Sequence, residues 1–347
     1  MNLQDLKEAA ARGRPCWRFC VAPMMDWTDR HCRQLHRLLS QHARLYTEMV
    51  TTGALLHGDV AKHLAFDPVE HPVALQLGGS EPEDLARAAK LGLAWGYDEI
   101  NLNCGCPSDR VQRGAFGACL MREPRLVADC FKAMTDAVSI PVTIKHRLGL
   151  GREQDLGMLT DFVGTLHRAG CKHFIVHARN AWLEGLSPKD NREVPPLRYQ
   201  AVYDLAGQFP DSIFVLNGGL SDHHQALDAM KSLGGVMIGR AAYQRPALLA
   251  DVDQIWFDTT APNEASPLFD RLVCALENYR SYMMRQMALG VPLGSMTRHT
   301  LGLFQGLPGA RILRRDLSDQ HALRTQGIGW FDASLARFLT VQRTAAT

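Results

Sequence analysis

Long apolar runs, paired cysteines and a glycine-rich dinucleotide fingerprint are all missing from this 347-residue chain. Each absence narrows what it does. No apolar stretch approaches the ~20 residues of a membrane-spanning helix, so no membrane partner is expected. The first residues, Met1–Arg14, are polar and alanine-rich, with no apolar core of the kind that directs secretion. The nine cysteines are odd in number and scattered, with no Cys-x-x-Cys pair. That favours reduced thiols in a cytoplasmic setting over a disulfide frame. Cys104 and Cys106 stand one residue apart without a second ligand set nearby, so no metal is expected. No Gly-x-Gly-x-x-Gly follows a strand, which disfavours a Rossmann site. Formal net charge is only +2, so any nucleic-acid surface must be a local patch.

What the chain has instead is eight short apolar runs. They are Arg18–Met24, Leu45–Val50, Pro72–Gly78, Glu99–Cys104, Pro141–His146, Lys172–His177, Ile213–Gly218 and Gly235–Gly239. Each is about one strand long, most are rich in Val, Ile and Leu, and buried parallel strands read as near-continuous apolar runs. Helical periodicity fills the gaps. Pro82–Leu93 follows Ser80 as N-cap, Pro124–Ala137 has one apolar face, and Leu156–Arg168 ends at a glycine C-cap signal, Gly170. Strands alternating with helices imply right-handed βαβ units and a parallel sheet. Eight of them within residues 18–239 predict an α/β fold, a closed (β/α)8 TIM barrel, with an open doubly wound sheet as the alternative.

Hydrophobic residues make up 46% of the chain, ample for a large core. The predicted organisation is a tail over 1–15, a barrel domain over 16–257, a polar, proline-containing linker over 258–267 and a small all-helical domain over 268–347. Leu272, Leu276, Tyr279, Met283, Met284 and Met287 form one helical stripe. Further helices are predicted near Ser295–Gln305, Gly309–Leu317 and Trp330–Val341. Arg298, His299, Arg311, Arg314, Arg315 and Arg324 form a basic segment that reads either as a solvated helix face or as phosphate contacts.

A barrel carries its active site at the C-terminal ends of its strands. Those ends here hold Pro23-Met24-Met25-Asp26, Glu48, Gln76, Asn103 with Cys106, Lys145 with Arg147, His177 with Arg179, Asn217-Gly218-Gly219, and Gly239-Arg240, while strand interiors are otherwise apolar. The glycines after the last two strands suit a phosphate held on exposed backbone N–H groups, with Arg240 adding a charge-assisted bond. FMN across the barrel mouth fits this pattern. Lys145 could then hold negative charge on the reduced flavin, and Gln76 with the backbone of Ala22, Pro23 and Met24 could meet its pyrimidine edge. Plainer readings stay open: an internal Lys145–Glu48 ion pair, and His177 as a satisfied core histidine.

At this point the residues meet a known family. The chain resembles the tRNA-dihydrouridine synthases, and among them the subgroup acting on D-loop uridines 20 and 20a. Ala22-Pro23-Met24-Met25-Asp26-Trp27-Thr28-Asp29, Tyr46–Val50, Gln76–Gly79 and Glu99–Met121 carry the resemblance. So do His177–Arg179, Leu186–Arg192, Gly302–Gly306 and Gly309–Arg311. The resemblance implies an FMN barrel with a helical tRNA-binding domain and NADPH, or NADH, as transient reductant. It marks Cys106 as the proton donor, and Gln76, Lys145, His177, Asn217, Gly218, Gly219, Gly239 and Arg240 as FMN contacts. Asn103 matches a substrate-side position, Lys189 and Arg192 a tRNA-binding signature, and Arg311 and Arg314 its C-terminal partners. Cys104 departs from the family, which more usually has an aliphatic residue there.

The implied chemistry is reduction of the uracil C5=C6 bond, with hydride from flavin N5 reaching C6 and a proton reaching C5. Thiols are mostly protonated near neutral pH and can give that proton. Asn103, Lys145 and Arg147 are candidates to orient the base or stabilise charge on its carbonyls, and Arg179 is a candidate RNA contact. A single chain is expected to act as a monomer on tRNA. The alternatives are a flavin barrel reducing a free pyrimidine, such as a dihydroorotate-type oxidoreductase, and a non-catalytic RNA-binding barrel.

Overall fold

The computed structural model describes residues 17–108, 114–153, 156–259 and 266–345. The predicted tail over 1–15 and most of the predicted linker lie outside them. The chain forms two compact units. One comprises residues 17–26 and 44–239, the other residues 27–43 and 240–345.

Among its described residues the first unit holds nine strands: β1 (Phe19–Val21), β2 (Leu45–Tyr46), β3 (Val50–Thr51), β4 (Val73–Gly78), β5 (Glu99–Cys104), β6 (Val142–Arg147), β7 (His173–His177), β8 (Ile213–Asn217) and β9 (Gly235–Ile238). Every pairing is parallel, in the order β1-β9-β8-β7-β6-β5-β4-β2, with β3 also on β4. The ring closes where Val21 N–H donates to Arg44 O (2.9 Å) and Arg44 N–H to Phe19 O (3.0 Å). The fold is therefore a (β/α)8 barrel, accompanied by a C-terminal helical region.

The second predicted strand is split into β2 and β3. Thr47 breaks the ladder by using its hydroxyl in place of backbone: Oγ1 accepts from Gln76 N–H (3.0 Å) and donates to Glu48 O (2.6 Å). Gly235 marks the tightest strand contact, since a Cβ there would lie 1.9 Å from the Trp17 carbonyl oxygen. Helices Pro82–Ala94, Pro124–Ala137, Leu156–Arg168, Tyr199–Gln208 and His223–Met230 separate successive strands. The N-cap of the first is Glu81, without a side-chain bond, and not Ser80. Pro82 at the first helical position needs no N–H partner, so that turn forms without a side-chain cap.

Residues on one face of a sheet alternate along each strand. The inward face carries Trp17, Cys20, Ala22, Tyr46, Ala74, Ile175, Val215 and Met237 as one apolar cluster. The register places Glu99 beside Ala74, Asn101 beside Gln76 and Thr143, and Asn103 beside Lys145 on that same face. The expectation of apolar strand interiors thus fails over β4 to β6. Glu99 is fully buried, and accepts from Trp17 Nε1 (2.8 Å), Tyr46 OH (2.9 Å) and Thr143 Oγ1 (2.5 Å). Arg44 Nη1 stands 3.2 Å from its Oε2. Burial pushes the Glu99 carboxyl up, opposed by Arg44 and the three donors. Burial presses Arg44 down, and Glu99 together with Tyr46, Cys20 and Asp98 more than reverses this, leaving the guanidinium raised.

In the second unit Asp29 caps helix Arg30–Leu39 through Cys32 N–H (2.9 Å). The long helix Leu268–Ala288 buries Leu272, Ala275, Leu276, Tyr279, Tyr282 and Met283. Met284, expected in that stripe, is 46% exposed, and Tyr282 takes the buried face instead. The helix expected over Ser295–Gln305 stops at Thr297. Beyond it Thr300, Leu303 and Gln305 donate three residues back in successive turns, and Gly302 and Gly306 give the segment low helix propensity. His299 leaves the basic segment for the interior, 3.1 Å from Asp29 Oδ1.

Removing one member of a buried ion pair costs about 3–5 kcal/mol. Arg44→Met is expected to lower stability by that order in urea unfolding, and adding Glu99→Gln to recover much of it. Equal midpoints for wild type and Arg44→Met would remove Arg44 as the counter-ion.

Candidate active site

The C-terminal strand ends converge on one rim of the first unit, and their side chains are held from below by the strand register. On β5, Asn103 Oδ1 accepts from the backbone N–H of both Gly105 and Cys106, each at 2.9 Å. Cys106 O accepts from Ala118 N–H (2.9 Å), so both peptide groups of this residue are fixed. Its Sγ is partly exposed, 3.6 Å from Ser108 Oγ. Cys104 faces the other way. It is fully buried beside His146 in the register, on the helix side of the strand, where burial pushes its thiol far up.

Lys145 is half-buried, and its electrostatic neighbours are Arg147 and Cys106. The Glu48 ion pair considered above is not among them; Glu48 instead takes the Asp26 N–H. Burial, reinforced by Arg147, lowers Lys145 from 10.5 to about 7. His177 is driven far below 6.5 by burial, then by Arg147, Lys145, Arg179 and Arg192, so its imidazole is neutral. Four basic side chains therefore act on one histidine, an arrangement suited to an anion.

Arg147 is 3% exposed and uses Nε on Gly105 O (3.1 Å) and Nη1 on Asn180 O (3.2 Å) and Asn191 O (2.8 Å). It ties the Cys106 loop to the segment leading to Lys189 and Arg192. Gln76, 1% exposed, spends its amide on Asn101 and Asn103. Asn217 Nδ2 donates across to Met237 O (2.7 Å). Beyond it Gly218 (φ 113°) and Gly219 (φ 74°) are left-handed. A Cβ on Gly218 would meet His177 Cδ2 at 2.6 Å, and one on Gly219 would meet Leu197 Cδ1 at 2.4 Å, so only glycine leaves this backbone open. Tyr199 OH holds the turn through Gly218 O (2.6 Å). Ala22, Met24 and Gly239 are neighbours just past the ends of β1 and β9.

Residues 20–338 match the dihydrouridine synthase (Dus) family. The chain is 53% identical to the tRNA-dihydrouridine(20/20a) synthase of Yersinia pestis over 323 residues, 93% of this chain and 92% of that one. It is 54% identical to the protein of the same description in Salmonella typhimurium over 315 residues (90% and 92%). With that of Pseudomonas syringae pv. tomato the identity is 56% over 301 residues (87% and 88%). The chain belongs to the dihydrouridine synthase family.

As a dihydrouridine synthase it carries its remaining expected residues on two surfaces. In the first unit, Lys189 and Arg192 are exposed on a loop pinned by the fully buried Asn191, whose Oδ1 accepts from Trp182 N–H and whose Nδ2 donates to Trp182 O, both at 2.8 Å. Arg179 Nη1 is bonded to Glu193 O and Pro195 O in that same segment. In the second unit, Arg311, Arg314 and Arg315 are exposed on one side of helix Ala310–Ser318, while Leu313 and Leu317 are buried. Arg240 opens helix Arg240–Gln244 in that unit.

Sequence reasoning passed over Glu99, Asn101, Thr143, Tyr199 and Asn191. The first two were signalled by the alternation of polar residues in Glu99-Ile100-Asn101-Leu102-Asn103, a period of two within an apolar run.

Because Lys145 sits near 7 in the folded chain against 10.5 ordinarily, its charge opposes folding at and below pH 7, and the opposition fades as pH rises toward 10.5. Lys145→Met, without bound ligand, is expected to exceed wild type in urea midpoint near pH 7, with the gap closing toward pH 10.5. A gap independent of pH would exclude the shifted lysine as its source.

Proposed function

We propose that this protein reduces uridine to 5,6-dihydrouridine at positions 20 and 20a of tRNA, with FMN as resident cofactor and NADPH, or NADH, as reductant. The observation that carries the reading is the Cys106 loop, tethered through Asn103 beside a group of basic side chains, in a chain over half identical to 20/20a synthases. FMN fits the residues present. Its phosphate would rest on the left-handed Gly218–Gly219 turn with Asn217 and Gly239. Its ring would meet Ala22, Pro23, Met24, Gln76, His177 and Lys145. The chemistry a flavin would supply there is hydride delivery to C6 of the uracil.

The chain's own residues do the rest. Cys106 gives the proton at C5, the S–H bond breaking as the C–H bond forms. Asn103 meets the base, and Lys145 stabilises charge nearby. Arg147 holds the Cys106 loop and so serves the base indirectly. A uracil in folded tRNA must be extruded, at a few kcal/mol. Lys189, Arg192 and Arg179 near the mouth, and Arg311 and Arg314 on the helical unit, supply compensating phosphate contacts. The eight described cysteines form no disulfide, as suits the cytoplasm, and no described helix is long and apolar enough to cross a membrane. One chain carries the full residue set, so we expect a monomer.

The deciding experiment incubates the purified protein with an unmodified tRNA transcript and NADPH and maps dihydrouridine by nucleotide; product at other positions, or from free uracil alone, would overturn the reading. Cys106→Ala is expected to keep bound flavin and its reduction by NADPH, yet lose dihydrouridine formation. Lys189→Ala with Arg192→Ala should weaken tRNA binding and reduce the slope of log K against log salt by roughly 0.7–0.9 for each phosphate no longer neutralised. An unchanged slope would take both residues out of the RNA interface.

A further inference from the structure

Five side chains of the barrel interior form one hydrogen-bonded series with a single direction. Asn103 Nδ2 donates to Gln76 Oε1 (2.9 Å), Gln76 Nε2 to Asn101 Oδ1 (2.7 Å), Asn101 Nδ2 to Thr143 Oγ1 (2.7 Å), and Thr143 Oγ1 to Glu99 Oε1 (2.5 Å). Neither end can reverse. At the bottom, Glu99 is met by Trp17 N–H and the Arg44 guanidinium at Oε2, and as a carboxylate it only accepts. At the top, Asn103 Oδ1 faces two backbone N–H groups, which only donate.

The direction follows by elimination. A hydroxyl has one hydrogen, and Thr143 gives it to Glu99, so toward Asn101 it must accept. Asn101 therefore turns its nitrogen to Thr143 and its oxygen to Gln76. Gln76 must then offer its oxygen to Asn103. Every amide in the series has one allowed orientation, and half-buried Asn103 is left with one spare N–H for a ligand.

We infer that Glu99, Thr143 and Asn101 are positioning residues for the reaction: they lock the Asn103 amide so that its oxygen holds the Cys106 loop and its nitrogen meets a carbonyl oxygen of the base. The inference rests on the assignment of Cys106 and Asn103 above, but none of the three residues reaches the ligand itself. A base presenting an amino group at that place would face donor against donor, so the lock also selects for a carbonyl.

Thr143 offers the clean test, because its two conservative variants separate the hydroxyl from the packing. Thr143→Val keeps the shape and removes the relay; Thr143→Ser keeps the relay and removes a methyl. Two readouts are taken on each full-length protein. The first is the rate of iodoacetamide alkylation at Cys106, resolved by peptide mass spectrometry, which needs neither flavin nor RNA. The second is kcat for dihydrouridine formation beside the rate of flavin reduction by NADPH. Thr143→Val is expected to raise the alkylation rate about two- to tenfold, the equilibrium weight of one hydrogen bond. Its kcat should fall about 10- to 100-fold, as when groups behind a reacting shell are removed. Thr143→Ser should stay near wild type in both. Serine impaired as much as valine, or valine matching wild type in alkylation, would overturn the relay. Alkylation that follows the hydroxyl while kcat stays constant would overturn the positioning role and fault the assignment of Cys106, leaving the hydrogen bonds in place.

Discussion

A closed parallel barrel has nowhere to set aside a polar side chain, because every second residue of each strand points into the lumen. Over β4, β5 and β6 that inward rank is Gln76, Asn101, Asn103, Glu99, Thr143 and Lys145, and each buried polar atom must find a partner or cost about 1–3 kcal/mol. Glu99 is the group on which the others depend. It collects three hydrogen bonds and one guanidinium at the closed end of the lumen. An apolar cluster from β1, β2, β7, β8 and β9, with Ala74 of β4, fills the remaining sector. The barrel is thus divided lengthwise into an apolar half that supplies burial and a polar half that carries directional information from the closed end to the rim.

Much of this was legible in the residues, and the part that was not has one cause. Run length and helical period located all eight barrel staves, and helices Pro124–Ala137 and Leu156–Arg168 lie where the periodicity placed them. Periodicity reports which way a residue faces. It does not report what it meets. Thr47 breaks a strand because its hydroxyl competes for a backbone N–H of β4, twenty-nine positions away. His299 reads as part of a basic surface, but is buried by its contact with Asp29, far earlier in the chain. Arg147 reads as a free cation at a rim, while three carbonyls from separate segments claim it. In each case the deciding partner is remote in sequence. The polar alternation of β5 was visible, but its meaning lay in Thr143 and Gln76 on neighbouring strands.

The mouth shows the opposite economy. The lumen satisfies its charges; the rim gathers Lys145, Arg147, Arg179 and Arg192 around one neutral histidine. Burial and mutual repulsion press Lys145 down to about 7 and Arg147 to about 10. Such a group is strained in isolation, and an anion that enters relieves it, so ligand binding and stability are linked at this rim. Glycine at 218 and 219 belongs to the same logic: a backbone that no other residue could leave open sits next to the histidine the cations surround.

The thiol is presented differently from the cations. Both peptide groups of Cys106 are bonded, the N–H to Asn103 and the C=O to Ala118 N–H, and Pro107 restricts its backbone to the extended region. The backbone of this loop residue is thus held on both sides, and the thiol is placed by rotation about its own χ1. That division suits an acid that must reach a base arriving on a large and flexible substrate. The scaffold sets where the sulfur can be, and under the proposed function the short thiol would rotate to meet the carbon. A longer acid would carry more rotamers, and its approach would no longer be defined by the backbone. Asn103 is the hinge of the arrangement, since the same amide that anchors the loop ends the series rooted in Glu99. Position of the Cys106 loop and orientation of the Asn103 amide are consequently one structural variable, which under the proposed function couples the acid to the base it serves.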